Sequence, residues 1–88
     1  MANTIDFEYE DKTYTVNKDG LLDMRIYDTM AEYGDGHPLV IHAMGVALFG
    51  SDGYKQLEHD IADDNGSVSI VKISECVLAA VEAASPKN

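Results

Sequence analysis

The sequence predicts a small α+β domain, mostly helical, in which an N-terminal β-hairpin packs on three to four helices. Three observations carry that expectation. Apolar and polar residues alternate across residues 5–9 and 13–17, the period of two that marks half-buried strands. Beyond residue 20, apolar residues recur at helical spacing in stretches broken near Gly34, Gly50 and Gly66, where glycine ends helices. Finally, PLVIHAMGVALF, residues 38–49, carries no charge in a chain of formal net charge -10. A helix apolar all round must be covered all round.

The hairpin is expected over about residues 4–17. Ile5, Phe7 and Tyr9 alternate with Asp6, Glu8 and Glu10, and Tyr14 and Val16 with Thr13, Thr15 and Asn17. With the turn around residues 10–12, Tyr9 lies beside Tyr14 and Phe7 beside Val16, giving one apolar and one polar face. Two strands alone are marginal, so the aromatic face is expected to rest on helices.

Asn17 and Asp19 are candidate N-caps for a first helix over about 20–33, with Leu22, Ile26, Met30 and Tyr33 on one stripe and Gly34 as the stop. Pro38 suits the first position of the apolar helix, 38–49, which Gly50 ends. Ser51 is a candidate cap for a helix over about 52–63, whose narrow stripe of Tyr54, Leu57 and Ile61 places it on the outside.

After the polar DDNG turn, Ser69 is a candidate cap for a last helix over about 69–84, with Ile70, Ile73, Val77, Ala80 and Ala84 at helical spacing. Val68 and Ile73 fit a hydrophobic staple. VSIVKIS is also rich in β-branched residues and suits a strand as far as Ile73; the periodicity continuing to Ala84 favours helix. The terminal SPKN is expected to fray. No repeat or linker divides the chain, so residues 1–88 read as a single domain.

A domain of 88 residues buries only about 60–65% of its unfolded surface and is left with a few kcal/mol of stability. One cysteine, Cys76, permits no intramolecular disulfide. Hydrophobic packing therefore carries the fold, and self-association is a natural supplement. MANTIDFEYEDK lacks a basic region followed by an apolar run, and no stretch is long enough to span a bilayer. A cytoplasmic location is expected. Sixteen acidic residues oppose six basic ones spread along the chain, which opposes phosphate and nucleic-acid binding. Such a balance keeps a protein soluble, and it also suits a basic partner.

Candidate chemistry is thin. DIADDNG suggests a calcium loop, but with Gly66 as its central glycine the first ligand position is Ile61 and the bidentate twelfth is Lys72; an acidic helix-terminating turn is the expectation. His37, His42 and His59 share no metal-binding spacing. His42, with Val46 and Phe49 as helical neighbours, is read as buried or, less simply, as facing a partner. Ser51 stands in GSDG, without the Asp-Ser-Leu of acyl carrier proteins, and capping accounts for it. Cys76 has no nearby cation and reads as a packing residue. Met1, Met24, Met30 and Met44 suit core filling or an adaptable groove. No enzyme, cofactor or metal site is expected.

With the elements in order, the chain resembles the tail assembly chaperones of long-tailed bacteriophages. The likeness rests on the hairpin FEYEDKTYTV, the first amphipathic helix, the junction ALFGSDGYKQLE, the acidic DNGSVS turn and the terminal helix, and covers about residues 4–84. The resemblance implies a helper in the bacterial host cytoplasm that binds the helix-rich tape measure protein, keeps it soluble and lets tail tube subunits polymerise around it. It also implies a longer, frameshifted form, with which the terminal Pro86, Lys87 and Asn88 are compatible. It assigns no individual binding residue.

On the residues themselves, Val40, Met44, Leu48 and Phe49 of the apolar helix are the expected partner contacts of a self-associating, non-enzymatic chaperone. The alternative is an acidic inhibitor that mimics nucleic acid and occupies a basic protein through its carboxylates.

Overall fold

The computed structural model describes residues 3–85. Strands β1 (Thr4–Tyr9) and β2 (Lys12–Asn17) lead through a 3-10 segment (Lys18–Leu22) to helices α1 (Met24–Tyr33), α2 (Pro38–Ile61) and α3 (Ile70–Ala84). The result is an antiparallel hairpin followed by helices, mostly α, as the sequence predicts. The expected fraying at the C-terminus concerns residues 86–88, which lie outside the described residues; Ser85 itself closes α3, its Oγ donating to the Val81 carbonyl at 2.7 Å.

The hairpin register differs by two positions from the expected pairing. Ile5 faces Val16, Phe7 faces Tyr14 and Tyr9 faces Lys12. The cause is a tighter turn: Glu10 and Asp11 both take left-handed φ, 48° and 68°, and such two-residue turns match the twist of the strands they join. A shift of two leaves every side chain on its expected face. Phe7, Tyr14 and Val16 are buried, whereas Asp6, Glu8, Thr13 and Thr15 are exposed.

The first helix begins later than expected. Asn17 does act as a cap, accepting from the Asp19 amide at 3.1 Å, but the turn it opens is 3-10. Asp23, not Asp19, caps α1, accepting from the Arg25 amide at 2.9 Å. Gly20 explains the delay. It is buried against the backbone of Ala47, and a Cβ there would collide with the Ala47 carbonyl. The 3-10 segment delivers bare backbone to that contact before the α-helix starts. Of the predicted stripe only Ile26 is buried; Met30 is half-buried, and Leu22 and Tyr33 are exposed.

Gly34 ends α1, its amide donating to the Met30 carbonyl at 2.8 Å. His37 then caps α2 ahead of Pro38, its Nδ1 accepting from the Leu39 amide at 3.1 Å. At Gly50, φ 78° and ψ 162° break α2 into two arms, 38–49 and 51–61, a conformation essentially confined to glycine. The second arm is not an outer helix. Tyr54 and Leu57 are buried, and the Tyr54 ring sits on Gly45 of the first arm so closely that a Cβ at Gly45 would overlap it. A narrow apolar stripe suffices to bury an arm that folds back on its neighbour.

The alternative of a strand over 68–73 does not hold: Ser69 caps α3, accepting from the Lys72 amide at 3.3 Å. The inward face is Ile73, Cys76, Val77, Ala80 and Ala84. Ile70, expected on that stripe, is 63% exposed, because the first turn of α3 overhangs a groove instead of meeting a packed wall.

The core joins the hairpin, both arms of α2 and the inner face of α3. Phe49 makes edge-on contacts with Phe7 and Tyr14, with ring centroids 6.1 and 5.8 Å apart, a geometry that adds to simple burial. Ile26 and Val40 are buried apart from this cluster, where α1 lies on α2.

One polar link ties the hairpin to the second arm. The Tyr14 hydroxyl donates to Asp60 Oδ2 at 2.7 Å, while Gln56 Nε2 donates to Oδ1 at 2.8 Å. The Tyr14 hydrogen bond is the main cause holding the Asp60 carboxyl below its ordinary value of 3.8. A carboxyl lowered by folding favours the folded state above its unfolded pKa and loses that contribution as acid protonates it. Tyr14→Phe keeps the ring and removes the donor, so its melting temperature is expected to fall below wild type at pH 7. The difference should narrow as acid protonates Asp60, at pH values below its ordinary 3.8; thermal melts across pH test this. A second expectation concerns Gly20→Ala, where backbone must yield to the new methyl. A loss of about 1–3 kcal/mol, read as a drop of about 4–8 °C in melting temperature per kcal/mol, checks the contact.

Candidate interaction surface

The uncharged helix is buried on the side expected to bind a partner. Val40, Leu48 and Phe49 are core residues, at 1%, 0% and 7% exposure, and offer nothing to a second molecule in this fold; Met44 is half-buried against the same core. Val40, Leu48 and Phe49 thus have no free surface for a partner in this fold, whereas Met44 keeps part of its own. The orientation follows from Gly45, which must face Tyr54 and so turns Ile41 and Leu48 inward. What remains outward is the stripe Leu39, His42, Ala43 and Val46, at helical spacing. Leu39 and His42 are exposed, and Ala43 and Val46 half-buried.

His42 is thus not a core histidine. Its ring stands edge-on to Tyr54, centroids 5.2 Å apart, and forms a ridge between two recesses. On one side Pro38, Ile41, Tyr54, Val68 and Ile70 line a groove of about 210 Å³, with Glu58 as its carboxylate. On the other, Ala43 and Val46 face Asp23 and Arg25 across about 170 Å³. There the Arg25 guanidinium lies against Asp23 and holds its carboxyl at about 2.

Larger apolar side chains reach solvent in two other places. Leu22 is 80% and Met24 65% exposed at the entrance to α1, with Tyr27 anchored beside them by donating to the Leu21 carbonyl at 2.8 Å. On α3, Ile70, Val71 and Leu78 are all more than half exposed. Val71 and Leu78 are seven residues apart and share the outer face. Their signal was present in the sequence: the α3 region is apolar on more positions than one packed face can use. Of the methionines, Met24 is exposed and Met30 and Met44 half-buried, while Met1 lies outside the described residues.

Asp63 Oδ1 accepts from the Asn65 and Ser67 amides at 2.8 and 3.0 Å, closing the acidic turn on itself. Among the described residues no cluster of three or more His, Cys, Asp or Glu is arranged to hold a metal, and no helix is long and apolar enough to cross a membrane. Cys76 is fully buried, and burial pushes its thiol up to about 11, far from the range of a reactive thiolate.

Core and surface are separable by substitution. Leu48→Ala should cost about 2–5 kcal/mol, most of the stability of so small a domain, and abolish cooperative melting near room temperature. Ile70→Ser and Leu78→Ser should each stay within about 0.5 kcal/mol of wild type. Circular dichroism melts of the three variants check the assignment. Comparison of this chain with protein families, with characterised proteins and with solved structures finds no match.

Proposed function

We propose that this chain is a non-enzymatic assembly chaperone that holds an apolar helical client on its surface. The observation that carries the reading is the pairing of exposed Leu22, Met24, Ile70, Val71 and Leu78 with a body of net charge -10. Exposed apolar side chains in groups mark interaction sites, and the surrounding charge keeps both the free protein and its complex in solution. Helical clients present anchors at the spacing that a groove beside a helix accepts.

The resemblance to phage tail assembly chaperones supplies the specific client: the tape measure protein during tail morphogenesis, with the tail tube protein as a further partner and self-association of the chaperone in the host cytoplasm. A second reading, an acidic inhibitor of a basic protein, is favoured by the exposed carboxylates Asp6, Glu8, Glu10 and Asp11 on and around the outer hairpin face. The two readings differ in salt response, since ionic contacts weaken at high ionic strength while apolar ones strengthen.

Coexpression with a tape measure protein encoded beside this gene should convert it from insoluble to soluble and copurifying material. The complex should survive 1 M NaCl, and Val71→Glu with Leu78→Glu should weaken it without lowering the melting temperature of the free chain. A tape measure protein that stays insoluble, or one released by salt, defeats the chaperone reading.

A further inference from the structure

The groove beside His42 has features that the broad exposed surface lacks. Its walls are apolar and aromatic: Pro38 and Tyr54 on the α2 arms, Val68 and Ile70 at the start of α3, and the His42 ring edge-on to Tyr54. At about 210 Å³ it falls below the roughly 300–1,000 Å³ of pockets that enclose whole small-molecule ligands or cofactors. One large side chain fits it. Glu58 is the carboxylate in its lining, and no lysine or arginine lines it. Among the described residues no donor or cation pairs with the Glu58 carboxylate. The recess across the His42 ridge also carries a carboxylate, Asp23, although Arg25 already neutralises it.

Resting on the chaperone reading, we propose that this groove is the anchor site for a cationic amphipathic helix. A Leu, Met or Phe of the partner enters between Tyr54 and Ile70, and a Lys or Arg one turn away on the same partner face pairs with Glu58. Volume sets the first requirement and charge complementarity the second. Residues four apart on a helix lie about 6 Å from each other, so one partner face can present both an anchor to the groove and a cation to Glu58 in its lining. The net charge of -10 draws cationic partners in the same sense over longer distances.

The test uses the full chain and synthetic helical peptides of about 18 residues, each with one Leu anchor and either Lys or Glu four positions later. Nitrogen-15 NMR titration of the wild-type chain should show the Lys peptide shifting Tyr54, Val68 and Ile70, with the Glu peptide binding more weakly. Ile70→Glu should cost roughly tenfold or more in affinity for the Lys peptide. Glu58→Gln should cost roughly two- to fivefold in affinity for the Lys peptide and narrow, by the same factor, its preference over the Glu peptide, leaving only what the remaining net charge supplies. Equal binding of both peptides, shifts confined to Val71 and Leu78, or groove shifts that depend on protein concentration alone, as a second copy would give, overturn the proposal. Failure here is distinct from failure of the chaperone reading. A tape measure protein held by the Ile70→Glu chain but lost on Val71→Glu with Leu78→Glu removes the groove and keeps the chaperone; Lys-peptide binding with no solubilised tape measure protein does the reverse.

Discussion

The contact between the Tyr54 ring and Gly45 decides how this molecule is oriented. An uncharged helix has no polar face to tell it which way to point, so the choice passes to whatever must lie closest. Here the bare Cα of Gly45 admits an aromatic ring that no other residue would admit, and the fold-back at Gly50 brings that ring into place. Once Gly45 faces the second arm, Ile41, Leu48 and Phe49 are committed to the core. Phe49 then receives Phe7 and Tyr14 from the hairpin, and the outward stripe of Leu39, His42 and Val46 follows by helical geometry.

A second glycine contact works on the same principle. Gly20 brings the 3-10 segment against the Ala47 backbone, so the first arm is gripped from two sides, by the Tyr54 ring on Gly45 and by bare backbone at Ala47. Small chains have little apolar area to spend, and removing a Cβ at each crossing shortens the distance between elements without adding residues. The surplus apolar side chains at the entrance to α1 and on the outer face of α3 lie away from these crossings, so the fold does not depend on them.

Much of the architecture was legible in the sequence because it rests on local signals. The strand alternation, the Pro38 and Ser69 helix starts and the Gly34 and Gly50 stops each depend on a few adjacent residues. The inward helical stripes were half legible: Ile26, Ile73, Val77 and Ala80 fall as expected, while Leu22 and Ile70 do not, since periodicity finds a face but not where the opposing wall ends. The register of the hairpin turned on Glu10 and Asp11 accepting left-handed backbone, which neither residue announces as glycine or asparagine would. Which side of the apolar helix is covered was not legible. Val40, Leu48 and Phe49 look sticky in isolation, and only the tertiary position of Tyr54 shows them to be covered.

Cys76 lies at the junction of hairpin, α2 and α3 with no exposed surface, and it is the sole thiol in the chain. A disulfide reagent in the surrounding buffer can meet it only when α3 lifts away from its neighbours. The pace of modification therefore counts excursions of the native ensemble toward open forms, giving the molecule an internal clock that needs no engineered cysteine. Any ligand that clamps α3 would slow that clock by the fraction of time it stays bound.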